Sequence, residues 1–226
     1  MAQHRRADAE ITPESLDRLP IFPLPRAVLF PGVTLPLHLF EPRYRALAER
    51  CVEGDRLIGL AALQPGFEQD YLGRPPIFPV MGLGHITAER RLADGRWNIA
   101  LRGVCRVEVL EERPPDDPFR VVRARRLDER ERRGDQAAAD RLRGILLQLM
   151  LRLPQVRDEL GSLLSEARRP GRLADVAAGL LIDGFPARQR LLEETDVARR
   201  LDHLLELLTD LVLATAGVGD DDLGPH

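Results

Sequence analysis

The chain has 226 residues, 44% of them hydrophobic, and a formal net charge of -3 at pH 7. This length suits one large domain or two small ones, and the small charge gives no general attraction to nucleic acid or anionic membranes. All 33 basic residues are arginine. Because lysine is absent, this sequence excludes a Walker A phosphate loop, a Ser-Lys catalytic dyad and a Schiff-base lysine.

The two ends of the chain are polar. Residues 1–14 contain no apolar run and are predicted to be a disordered tail, not a secretory signal. Residues 217–226 carry Asp220, Asp221 and Asp222 among glycines and are predicted to be a disordered acidic tail. No apolar run approaches the ~18 residues that would span a bilayer. With Cys51 and Cys105 predicted to be buried free thiols, we expect a cytoplasmic protein.

An unusual proline-rich segment opens the first half. Residues 21–45 contain five prolines among large apolar side chains: Pro23, Pro25, Pro31, Pro36 and Pro42. Leucines alternate with other residues at positions 35–39, which is the period of a strand. Because proline breaks regular pairing, the segment predicts short extended pieces that lead into a helix at Pro42. That helix is predicted over residues 42–53, with one apolar face consisting of Tyr44, Leu47, Ala48 and Cys51.

Further strands follow this helix. Residues 56–63 are short and apolar, and residues 64–76 are rich in turn-forming residues. Strands over 80–91 and 96–103 join through an Asp94-Gly95 hairpin, and a second pair is predicted over 105–112 and 119–127. Gly82 and Gly84 lie within a strand pattern and do not open a helix. They therefore indicate a bulge or a close strand approach instead of a dinucleotide loop.

The composition changes after a charge-dense linker at residues 128–136. Five leucine- and alanine-rich helices are predicted beyond it, over residues 137–153, 155–167, 173–182, 187–194 and 196–213. The sequence therefore predicts an α+β chain with a β-rich subdomain over residues 15–127 and a helical subdomain over residues 137–216.

Several motifs together resemble one family. Residues 19–24 (LPIFPL), 29–32 (LFPG) and 35–45 (LPLHLFEPRYR) resemble the opening of the LON N-terminal, substrate-binding domain of Lon-type proteases of the peptidase S16 class. Later segments follow in the family's order: 94–96, 102–107, 172–175, 189–193 and 196–201. The resemblance covers roughly residues 19–213. It implies a PUA-like fold, an open barrel or sheet with one helix, followed by a helical bundle. It also implies a stand-alone domain, without the ATPase and Ser-Lys protease modules into which Lon-type proteases continue.

The candidate catalytic residues have simpler explanations. No two of the five histidines have metal-ligand spacing, and no serine lies in a Gly-x-Ser-x-Gly elbow. Glu41, Arg43 and Arg45 could form an acid-base cluster, but an acidic residue at a helix N-terminus beside an arginine is the simpler interpretation. We therefore expect no cofactor, no metal and no enzymatic activity.

Apolar side chains are the remaining functional candidates. Phe67, Tyr71 and Leu72 lie on a turn-rich loop, where they either are exposed or fold back onto the sheet. Phe22 and Phe40 belong to a second apolar set, most of which we expect in the core. The leading hypothesis is a peptide-binding module that acts as an adaptor or holdase in protein quality control. Its expected partners are unfolded or extended polypeptide segments, bound by strand addition, and a Lon-type protease acting in trans.

RNA binding is the alternative function. PUA-like folds include RNA-binding modules, and the segment from Arg123 to Arg133 is rich in arginine. Acidic residues interrupt this basic patch, and no aromatic residue accompanies it for base stacking. A solvated face or linker is therefore the favoured interpretation of the patch.

Overall fold

The structure is a computed structural model that describes residues 11–70, 73–152, 154 and 157–216. The strands are β1 (Leu19–Leu24), β2 (Thr34–Leu39), β3 (Leu57–Ala62), β4 (Val80–Arg91), β5 (Trp97–Glu112) and β6 (Arg120–Leu127). The helices are α1 (Pro13–Asp17), α2 (Pro42–Glu53), α3 (Asp135–Arg152), α4 (Arg157–Glu166), α5 (Pro170–Leu181), α6 (Phe185–Glu193) and α7 (Val197–Ala216). The chain divides between Asp128 and Glu129 into two compact units, unit 1 and unit 2. This order of strands and then helices confirms the predicted α+β class.

The strands of unit 1 form one mixed sheet in the order β2-β5-β4-β3-β1-β6. β1 and β3 run parallel, and the other neighbouring strands are antiparallel. β5 pairs with β4 over residues 97–108 along one edge, and its other edge pairs with β2 over residues 97–102 and with β6 over residues 106–112. The sheet therefore curls on itself, which agrees with the open barrel or sheet that the resemblance implied.

Apolar side chains fill both faces of the curled sheet. α2 covers one face with the side chains predicted for it, and the Tyr44 ring meets the Phe22 ring edge-on at 4.4 Å between centroids. The other face contains a second cluster that includes Ile21, Leu57 and Met81, each fully buried. Both cysteines are buried and unpaired, as predicted. Unit 1 thus has a hydrophobic core of its own.

Glycines mark close approaches to the sheet. A bulge or a close strand approach was predicted at Gly82 and Gly84. A Cβ atom at Gly82 would run into the Leu29 carbonyl oxygen, so the approaching backbone is the loop between β1 and β2, and the strand register shifts between Leu83 and Gly84. A Cβ atom at Gly103 would likewise meet the Phe30 carbonyl oxygen. The prediction of separate strands on either side of this position was wrong, because β5 continues through Gly103. Here the glycine leaves room for the loop between β1 and β2 and does not end the strand.

The helices of unit 2 begin in a segment that the sequence predicted to be a linker. Within it, the Arg130 amide donates to the Thr195 carbonyl oxygen at 2.9 Å, and the Val197 amide donates to the Arg130 carbonyl oxygen at 3.1 Å. The Arg132 guanidinium lies 2.9 Å from the Asp196 carboxylate. The sequence predicted a charge-dense linker here, and in the structure several of its charges pair with residues of unit 2, so the segment is folded as part of that unit.

Candidate functional site

β2 is an edge strand with an incomplete set of hydrogen-bond donors. In the described chain it pairs only with β5, and Pro36 lies opposite Ala100. The Thr87 hydroxyl on β4 donates to the Ala100 carbonyl oxygen at 3.2 Å, so the polar backbone groups of Ala100 point towards β4. The Pro36 nitrogen therefore points away from the sheet. The free edge of β2 lacks a donor at its centre, as is common in edge strands that resist pairing.

A solvent-facing surface extends from this edge across three strands. Its side chains occupy eight strand positions, which we call the exposed face: Thr34, Pro36 and His38 on β2, Asn98, Ala100 and Arg102 on β5, and Ala88 and Arg90 on β4. The register aligns Arg90, Asn98 and His38 in one row. Ala88, Ala100 and Pro36 form the next row, and these small side chains leave a shallow depression of about 480 Å³. A flat, open depression of this kind suits an extended chain better than a compact small molecule.

Phe40 stands beside the exposed face, just after β2 ends. Its side chain is 59% exposed, and its ring stacks on His38 with 6.0 Å between centroids. His38 Nδ1 lies 2.6 Å from Asn98 Oδ1, and Arg96 donates to His38 Nε2 at 3.4 Å. His38 Nδ1 is therefore the donor to Asn98. These contacts fix the imidazole, which in turn supports an aromatic ring that presents apolar area to solvent.

Charges near the exposed face are unevenly paired. Hydrogen bonds from the Arg96 side chain lower the pKa of Asp94, so this pair is neutral as a unit at pH 7. Arg56 holds Glu89 in an ion pair at the rim of the depression. Burial, followed by the charge of Arg56, lowers the pKa of His85, which lies opposite Arg102 in the register. His85 therefore adds little positive charge beside Arg102 at neutral pH.

The residues predicted to bind peptide have different positions. Phe22 is 4% exposed and packs in the core against Tyr44, so its side chain supports the fold. Phe67 begins a 3₁₀ turn over Phe67–Asp70 and is half-buried. Tyr71 and Leu72 lie outside the described residues. Of the predicted set, Phe40 is adjacent to the exposed face.

Sequence reasoning missed most of the exposed face. Arg90, Asn98 and Arg102 come from two strands, and only the register brings them beside β2. The available signal was the Asp94-Gly95 hairpin, which predicted that β4 and β5 pair. It gave no indication that β2 would join them on the other side of β5.

A second cavity of about 220 Å³ lies near the start of α2. Its walls include Arg74 and Arg120, and both guanidinium groups are occupied by Glu112, at 3.3 and 2.7 Å. Tyr44 and Phe119 also line it, but each is almost completely buried. This cavity consequently offers less accessible apolar area than the exposed face.

Cys51, Ser15 and Ser165 lie in buried or hydrogen-bonded surroundings. Burial raises the pKa of Cys51 to about 12, which keeps the thiol protonated and unreactive at neutral pH. Ser15 takes part in capping α1, and Ser165 donates to the Ser162 carbonyl oxygen at 2.8 Å. No group of three metal-binding side chains was found within the ranges that the structure describes. Among the same residues, no helix is long and apolar enough to cross a membrane.

Ion pairs also occupy much of the Arg123–Arg133 patch. Arg123 pairs with Glu111 at 3.2 Å, Arg125 with Glu108 at 2.6 Å, and Arg132 with Asp196 at 2.9 Å. The patch divides between unit 1 and unit 2. RNA binding through these arginines remains a prediction, with much of their charge already neutralised within the protein.

Comparison with solved structures defines the class of the fold as that of Lon protease N-terminal domains. The N-terminal domain of the Mycobacterium avium complex Lon protease matches with a TM-score of 0.68, at 19% identity, over 86% of this chain and 99% of that one. The Lon N-terminal domain protein of Xanthomonas campestris matches with a TM-score of 0.58, at 27% identity, over 84% of this chain and 97% of that one.

Sequence comparison identifies the family. Residues 18–210 match the substrate-binding domain of the ATP-dependent protease La (LON), and the chain belongs to this family. The Lon protease of Xanthomonas oryzae pv. oryzae is 31% identical over 205 residues, which are 90% of this chain and 24% of the relative. The Lon protease of Desulfosudis oleivorans is 25% identical over 201 residues, which are 85% of this chain and 24% of the relative. The chain thus spans about a quarter of the length of these relatives.

Proposed function

We propose that this protein is a polypeptide-recognition module that binds unfolded or extended segments at the exposed face and Phe40. The observation that carries the proposal is a large aromatic side chain, 59% exposed, beside an open depression with a floor of small residues. Membership of a substrate-binding domain family supports the same function. An adaptor or holdase role in protein quality control follows if such binding keeps clients from aggregating.

The geometry favours an extended chain lying over the face. Ala88 and Ala100 allow a backbone to approach closely, and Phe40 gives apolar area to one client side chain. Addition of a client strand at the edge of β2 is the weaker mode, because the missing Pro36 donor interrupts the ladder. Recognition of an extended chain that lies over the face depends on side chains more than on backbone hydrogen bonds.

Replacement of Phe40 by alanine tests the proposal. Burial of a phenylalanine is worth about 1.5–3 kcal/mol, and Phe40 is already partly buried, so its loss should weaken binding roughly tenfold. Fluorescence anisotropy with a labelled, permanently unfolded polypeptide measures this change. Leu110→Ala is the matched control, because Leu110 is 45% exposed on β5 and lies outside the exposed face.

Two results would contradict the proposal: no binding of unfolded polypeptides at tens of micromolar protein, or equal losses for Phe40→Ala and Leu110→Ala. Suppression of the aggregation of a heat-denatured client then tests the holdase role. We also propose that the protein has no ATPase or peptidase activity of its own. ATP turnover or peptide cleavage by the purified, homogeneous protein would overturn the proposal that it has neither activity.

A further inference from the structure

The exposed face has an asymmetric charge composition. Of its eight strand positions, two are arginines and none is acidic. Arg90 and Arg102 are both exposed, and neither has an ion-pair partner among the described residues. The chain as a whole has a net charge of -3, so the exposed face carries a local surplus of positive charge.

The neighbouring charges do not cancel this surplus. Arg91 pairs with Glu49 on α2 at 3.2 Å, and Arg96 pairs with Asp94 in the hairpin at 2.5 Å. Glu89 at the rim is held by Arg56. Within the described chain, Glu89 is the acidic residue that lines the depression, and it already has an arginine partner, whereas Arg90 and Arg102 are available to an incoming anion.

From this arrangement we infer that the exposed face selects polypeptide segments in which an acidic side chain lies close to an aromatic or large aliphatic one. The inference rests on the proposed function and specifies its substrate class. The client's apolar side chain packs against Phe40, and its carboxylate binds Arg90 or Arg102. Charge complementarity of this kind gives selectivity and a faster association rate more than raw affinity.

The strand register sets the spacing between the two client side chains. Arg90 lies two strands away from His38, which places their Cα atoms roughly 10 Å apart at the usual spacing between strands. Side chains of an extended chain alternate between its two faces, so only residues an even number of positions apart can both face this surface. Phe40 lies two residues beyond His38, which puts its Cα roughly 12 Å from that of Arg90, and four residues of an extended chain cover about 13 Å. A client with phenylalanine at one position and glutamate four residues later therefore matches the span from Phe40 to Arg90.

Nucleic acid is also anionic, but the face suits it less well. Single-stranded nucleic acid binds through several stacking aromatics and a continuous basic groove. Here Phe40 stacks on His38, and two unpaired arginines are separated by Asn98 and Ala100. These features favour a polypeptide with isolated acidic residues over a polyphosphate backbone.

A charge-swap experiment tests the inference. Two labelled unfolded peptides of equal length and apolar content carry a repeated Phe-x-x-x-Glu or Phe-x-x-x-Lys pattern, and anisotropy at low salt gives both affinities. An exposed ion pair changes affinity by a factor of roughly 1.5 to 5, so two arginines should favour the glutamate peptide about twofold to twenty-fivefold. The Arg90→Glu/Arg102→Glu variant should reverse that order and prefer the lysine peptide.

Arg50→Glu/Arg126→Glu is the matched control, because both arginines are exposed in unit 1 and lie outside the exposed face. It carries the same change in net charge and should retain the preference for glutamate. A reversal in both variants would show that only net charge matters and would overturn the inference. A reversal cannot arise from misfolding, which would weaken both peptides together.

The remaining outcomes separate this inference from the proposed function. If the unsubstituted protein binds both peptides equally, the charge selectivity is wrong and polypeptide recognition stands. If it binds neither, the proposed function itself fails. If a single-stranded RNA oligomer displaces the glutamate peptide and loses affinity in Arg90→Glu/Arg102→Glu, the face is a nucleic-acid site and the inference is overturned.

Discussion

Arg200 on α7 is 0% exposed, and three oxygen atoms from different segments surround its guanidinium. It lies 2.5 Å from Glu129 Oε1, 3.2 Å from Asp175 Oδ1 and 2.6 Å from the Glu194 carbonyl oxygen. Asp175 is buried as well, at 1% exposure. A charge removed from water is tolerated only when it is paired in this way, so Arg200 joins α5, α7 and the segment before α3.

Replacement of Arg200 by methionine should destabilise unit 2 strongly. The methionine fills much of the volume but removes the buried cation that pairs with Asp175 and Glu129, and breaking a buried ion pair typically costs about 3–5 kcal/mol. Urea unfolding followed by far-ultraviolet circular dichroism measures the loss. Arg199→Met is the control, since Arg199 is exposed on the same turn of helix and its replacement should cost less than about 0.5 kcal/mol. Equal losses for the two variants would contradict a structural role for the buried pair.

At the scale of elements, the edge of β2 is protected by a single missing donor. Pro36 interrupts the outward row of amides, so a partner strand would find donors only at the neighbouring outward positions, Thr34 and His38. Natural edge strands commonly use proline in this manner to avoid pairing with other chains. The same residue also lines the depression, so it keeps the exposed face accessible while it discourages self-pairing of the strand.

Pro36→Val should therefore increase self-association. Valine restores the N–H group and favours the extended conformation, so the β2 edges of two molecules can pair. Sedimentation velocity at several protein concentrations should show a larger weight-average mass than for the unsubstituted chain. Thr34→Val adds a β-branched apolar side chain on the same strand without adding a donor, and it should leave the mass unchanged. If both variants sediment like the unsubstituted chain, the missing donor does not protect the edge.

At the scale of the whole molecule, local patterns predicted the elements better than the site. α2 begins and ends where the sequence predicted, at residues 42 and 53, because helical contacts are local. Gly103 was mistaken for a strand end, since the loop that approaches it is distant in sequence. The exposed face depends on pairings of β5 with two strands, one of them about 60 residues earlier, and no periodicity encodes such contacts. Phe40 was found because it carries a large apolar side chain in a motif, whereas Arg90 and Arg102 gained significance only from their neighbours.

The exposed face draws all of its residues from unit 1, which also has its own hydrophobic core. A shortened chain of residues 11–128 should therefore fold and bind client peptides without unit 2, as expected of a compact domain. Trp97, the single tryptophan, is 9% exposed within unit 1, so its fluorescence reports the unfolding of this unit alone. We expect a cooperative urea transition in the shortened chain and a peptide affinity within about twofold of the full chain. Phe40→Ala in the shortened chain should produce the same loss of affinity as in the full chain, which places recognition in unit 1. A folded shortened chain that no longer binds would show instead that unit 2 contributes part of the binding surface.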